Sequence, residues 1–93
     1  MTYRWVIDKD HYAEPHAKEG TNLNAKGIEG PNSKHDLSLT INDNMGRFSM
    51  YDDDDQCVYE GRIWGRYDGF EPLDDYGTPN FGCTKVKLDG EWL

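Results

Sequence analysis

Carboxylates carry most of the chemistry this sequence offers. Asp52, Asp53, Asp54 and Asp55 stand in an unbroken run, and Asp74 and Asp75 form a second pair near Glu71 and Asp68. Clustered carboxylates serve cation binding, acid–base catalysis or attachment to a basic partner. Calcium is tested by spacing: an EF-hand loop needs oxygen ligands at positions 1, 3 and 5, glycine at 6 and glutamate at 12. Counting from Asp52 puts Cys57 at position 6 and Ile63 at 12, and starting from Asp53 or Asp54 fails as well. His11, His16 and His35 with Cys57 and Cys83 show no paired-ligand zinc spacing and would have to converge from separate segments. There is no nucleophile elbow, no phosphate-binding glycine loop and no Cys–His signature. Two carboxylates working on a glycosidic bond would need a sizeable pocket, for which so short a chain has little room. The expectation is a protein that is not an enzyme, with no catalytic residues, no metal ligands and no cofactor.

Attachment to a partner is what remains, and the charge distribution supports it. The chain has 93 residues, 18 acids against 10 bases, and a net charge of -8. Nine of those acids, Asp52, Asp53, Asp54, Asp55, Glu60, Asp68, Glu71, Asp74 and Asp75, lie within residues 52–75 against only Arg62 and Arg66. Nearly all the net charge therefore sits on one stretch, which repels itself unless it is solvated or meets a cationic partner. A direct nucleic-acid contact is disfavoured for the same reason.

The elements that position these acids read as β-rich, in a single domain spanning residues 1–93. Residues 2–7 are aromatic and β-branched and form a first strand. Residues 9–31 hold five Gly or Pro and read as a long loop. Residues 33–43 read two ways: Leu37, Leu39 and Ile41 alternate as in a strand, whereas Leu37, Ile41 and Met45 recur at helical spacing. In residues 47–51 Phe48 and Met50 share a face; in residues 56–64 Cys57, Tyr59, Gly61 and Ile63 oppose Val58, Glu60, Arg62 and Trp64. The Asp run between them suits a turn, so a hairpin with an acidic tip is expected. Residues 65–79 read as a second loop and residues 83–88 as a further strand. Asp89-Gly90 then turns the chain so that Glu91, Trp92 and Leu93 pack back. The expected architecture is a small antiparallel α+β sheet of about 4–5 strands, with a short helix near residues 34–44 as the alternative to a strand there.

Residues 69–84 combine Phe70, Tyr76 and Phe81 with Glu71, Asp74 and Asp75 and the stiffening Pro72 and Pro79. Aromatics on a rigid loop make low-entropy anchors for a partner, and they equally well plug a sheet edge. No apolar run approaches the roughly 18 residues of a membrane span, and no signal-peptide pattern follows Met1. Two cysteines do not make a disulfide framework, so reduced thiols in the cytoplasm are expected.

YDDDDQCVYEGRIWG followed by FEPLDDYGTPNFGCT resembles a set of short acidic bacterial and phage- or plasmid-borne proteins with a YDDDG…YYEGR…FxPLDDxGxPNxGCT pattern. The resemblance covers about the second half of the chain and, more loosely, RWVIDKDH. Its members carry glycine where this chain has Asp55, and the segment before their RF strand looks helical, which favours the helical reading of residues 34–44. No activity is attached to the set.

Acids two apart on a strand project about 6.6 Å apart, near the spacing of successive phosphate pockets. By analogy with small phage inhibitors of the anti-CRISPR and anti-restriction type, the functional expectation is a nucleic-acid mimic that inhibits a basic host protein. Its contact residues would be Asp52, Asp53, Asp54, Asp55, Glu60, Asp68, Phe70, Glu71, Asp74, Asp75 and Tyr76. The alternative is an adaptor that binds a protein through the aromatic loop, residues 69–84.

Overall fold

The computed structural model describes residues 3–13, 24–31 and 45–93. Six strands form one antiparallel sheet: β1 (Tyr3–Asp10), β2 (Glu29–Gly30), β3 (Gly46–Tyr51), β4 (Cys57–Gly65), β5 (Lys85–Leu88) and β6 (Glu91–Trp92). Their order is β2-β1-β4-β3-β5-β6. The β-rich α+β class is as expected, but six strands replace the expected 4–5. The two extra strands are the two-residue edges β2 and β6, too short to leave a periodic signal.

Alternation decides which side chains meet. Trp5 and Ile7 from β1, Phe48 and Met50 from β3, Tyr59 and Ile63 from β4 and Val86 from β5 are buried in one cluster. Gly61 sits among them because a Cβ there would come within 2.0 Å of the Val6 carbonyl oxygen and 2.6 Å of the Phe48 ring. The Asp89-Gly90 turn has φ 52° and 86°, the paired positive φ that lets a two-residue hairpin follow strand twist.

A helical segment covers residues 71–81, where a loop was expected. At its centre is a π-helical turn, Leu73–Gly77, followed by α1, Thr78–Phe81. The two prolines that suggest a loop are both accommodated. Pro72 opens the segment, and Pro79 stands in the first turn of α1, where a missing N–H costs little. Gly82, at φ 76°, stops the helix: its N–H bonds the Thr78 carbonyl, and the Cys83 N–H bonds the Gly77 carbonyl at 3.1 Å. The helix covers the sheet through rings, with Tyr76 against Trp5 and Tyr59, and Phe81 against Tyr59 and Tyr12. The strand or helix expected over residues 33–43 lies outside the described residues, as do residues 14–23 of the loop expected over 9–31.

Two β-bulges break the alternation. In β1 the register passes from Ile7↔Gly61 to Lys9↔Glu60, so Asp8 is the inserted residue. In β4 it passes from Met50↔Tyr59 to Tyr51↔Cys57, so Val58 is inserted. The first bulge turns Asp10 inward. The second corrects the expected pattern of β4: Val58 is in the core, and Cys57 leaves the face of Tyr59 and joins that of Glu60.

Candidate functional site

The acids of residues 52–75 fall into two groups, with Glu60 apart from both. The first is the expected hairpin tip between β3 and β4. Asp52 builds it: its Oδ1 accepts the N–H groups of Asp54 at 2.9 Å and Gln56 at 3.0 Å. Asp53 accepts the Thr84 hydroxyl at 2.7 Å, and Asp55 pairs with Lys85, which tethers the tip to the start of β5. Asp55 adopts φ 61°. The tip is a turn, so the strand ladder of acids two residues apart is not formed there.

The second group belongs to the helical segment. Glu71 is buried and accepts the N–H groups of Asp68 and Gly69, both at 2.8 Å, which closes the turn after β4. Asp75 accepts the Tyr3 hydroxyl at 2.8 Å and the Trp5 indole N–H at 3.0 Å. Burial, with this hydrogen bond and the charge of Asp75, raises the Tyr3 phenol above its ordinary pKa. Through Tyr3 and Trp5, the Asp75 carboxylate is tied to β1 and not to the tip. Tyr76 belongs to the aromatic layer under the sheet. Glu60 is apart from both groups, on the outer sheet face, 2.5 Å from His11.

Three of the acids, Asp54, Asp68 and Asp74, are exposed without a side-chain partner among the described residues. The others carry one internal partner or more. A carboxylate has about four acceptor sites, so a single partner orients it without exhausting it.

Beside the tip lies an open groove of about 380 Å³, lined by Asp55, Phe70, Lys85, Val86, Trp92 and Leu93. Phe70 is 44% exposed, Trp92 50% and Leu93 48%. Of the aromatics expected in the 69–84 loop, only Phe70 faces this groove; Tyr76 and Phe81 pack on the core. Trp92 and Leu93 escape a sequence reading because their exposure depends on β6 being a sheet edge. The Trp92 ring packs at a tilt against Tyr51, centroids 4.7 Å apart, with the Lys87 ammonium 4.6 Å from the Trp92 ring centre.

Cys57 and Cys83 are free thiols. Among the described residues no helix is long and apolar enough to cross a membrane. No family model matches the chain, and no curated protein or solved structure is significantly similar to it.

Proposed function

We propose that this chain is a non-enzymatic interaction protein that docks a basic protein against its acidic tip and the adjoining aromatic groove. The observation that carries this reading is their juxtaposition. Asp53 and Asp55 are held in place by Thr84 and Lys85, and Asp55 forms the rim of a groove floored by Phe70, Trp92 and Leu93. Interfaces take their energy from such half-exposed aromatics and their orientation from charges at the rim. Pre-set carboxylates fit the lysines and arginines of a surface that otherwise holds phosphates, so the partner class is a nucleic-acid-handling protein, including host defence proteins. On this reading the acidic tip, Asp53, Asp54 and Asp55, and the groove residue Phe70 make one contact surface. Asp52, Glu71, Asp75 and Tyr76 serve the fold beneath it. The free thiols fit a reducing, cytoplasmic setting.

The test is capture from the heparin-binding fraction of a bacterial lysate at low salt, challenged separately with duplex DNA and about 0.5 M salt. Release of the captured protein by both supports mimicry. Capture that survives both but is lost in Phe70→Ala or Trp92→Ala assigns the contact to the groove alone. Capture unaffected by these changes and by Asp53→Asn with Asp54→Asn refutes the surface.

A further inference from the structure

His11, Cys57 and Glu60 come from a turn after β1 and from two points on β4, and nothing in their sequence spacing announces a site. The two bulges bring them together. Insertion of Val58 swings Cys57 onto the outer sheet face, where Glu60 already points, and insertion of Asp8 sets β1 so that Lys9 opposes Glu60 and His11 follows just beyond. The His11 Nε2 lies 2.5 Å from the Glu60 Oε2, and one donor atom from each of the three residues lies within 4.8 Å of the others.

We propose that His11, Cys57 and Glu60 form a binding site for a divalent transition metal of the zinc type. The donor set is one nitrogen, one sulfur and one oxygen, which suits zinc and excludes calcium and magnesium, since those take oxygen donors. The spacing also suits it. Bonds of about 2.0 Å to N and O and 2.3 Å to S place tetrahedral donors roughly 3.3–3.6 Å apart. His11 and Glu60 therefore open by about 0.8 Å and Cys57 closes, movements within reach of side-chain rotation alone. Glu60 and His11 are partly exposed, with side-chain accessibilities of 48% and 33%, so a metal ion has a path in and water can take the fourth position.

The surroundings complement the site. The Cys57 thiol is oriented by the Tyr59 carbonyl oxygen, to which it donates at 3.8 Å.

The test is titration of the whole chain, kept reduced, with Co(II) followed by Zn(II). Binding of about one equivalent should give thiolate-to-cobalt charge-transfer absorption that zinc abolishes. Cys57→Ser should remove the band, and His11→Gln and Glu60→Gln should each weaken binding by at least about tenfold while circular dichroism stays unchanged. A band that persists in Cys57→Ser, or His11→Gln binding as the parent does, overturns the site. A readout independent of variants is the His11 imidazole resonance, which must shift when zinc is added to the parent chain. An unmoved resonance overturns the proposal as well.

Discussion

Asp75 receives the indole N–H of Trp5 at 3.0 Å, joining the helical segment to β1. Trp5 is 2% exposed, so this is the one polar need of a core ring, met by an acid that the sequence presents as surface charge. Asp75→Ala should cost about 1–2 kcal/mol in denaturant unfolding, because it leaves the buried donor unmet. Asp74→Asn, one residue away and exposed, should stay within about 0.5 kcal/mol of the parent. Equal effects of the two would contradict the division between structural and free acids.

Asp10 is a further acid with a structural duty. It is buried and accepts three backbone N–H groups, those of Tyr12 and Ala13 at 3.0 Å and Ala25 at 2.9 Å. Asp10→Ala should destabilise by about 3 kcal/mol or more, since each unmet buried donor costs about 1–3 kcal/mol. Asp10→Asn should cost less, because its remaining oxygen can still serve Tyr12 and Ala13. Chemical denaturation of both variants checks the order.

Asp55 occupies left-handed space at φ 61°, a region that favours glycine. Asp55→Gly should raise the thermal midpoint slightly, by a gain of up to about 1 kcal/mol, as backbone strain is relieved. The lost pair with Lys85 is exposed and offsets little. A marked fall in the midpoint would show that the tether matters more than the turn.

The folded chain should lose stability in alkali. Burial, helped by the charge of Asp52, pushes the Cys83 thiol from 9.0 to about 11, and burial likewise raises the Tyr59 phenol. Between pH 9 and 11 the unfolded thiol ionises while the folded one keeps its proton, so stability falls through that window and is fully present below pH 9. Unfolding measured from pH 7 to 11 checks this, and in Cys83→Ala the slope between 9 and 11 should be shallower.

Gly61→Ala should be among the costliest single-methyl additions. Its Cβ meets a backbone oxygen at 2.0 Å, which has no rotamer by which to yield, and the expected loss is about 3 kcal/mol. A fully stable variant would mean that β1 and β4 can separate locally.

The main sheet was legible in the sequence wherever the period-two rule held. Phe48 and Met50 face the core as their spacing indicates, the Asp run is the hairpin tip, and Asp89-Gly90 turns β5 into β6. The rule fails at inserted residues. Val58 moves Cys57 to the other face, so no alternation pattern brings Cys57 beside His11 and Glu60. The helix over residues 71–81 was hidden for a different reason. Gly69, Pro72, Gly77 and Pro79 signal a loop, and only a widened π turn between the prolines makes them compatible with a helix. The groove was half legible: Phe70 stood out, whereas Trp92 and Leu93 became site residues only through the three-dimensional edge they complete.

The position of β1 inside the sheet has a consequence for how the chain assembles. β3, β4, β5 and β6 draw on residues 46–92, and each hydrogen-bonds a neighbour within that stretch. β1 instead pairs with residues roughly 50–60 positions further along. Closing so long a loop is slow, and Trp5 and Ile7 stay wet until β4 exists to receive them. The hairpin-rich half is thus the part able to form from nearby pairings, and the pairing of β1 with β4 is the one that must close the long loop. During synthesis its apolar side chains wait for a partner still being made.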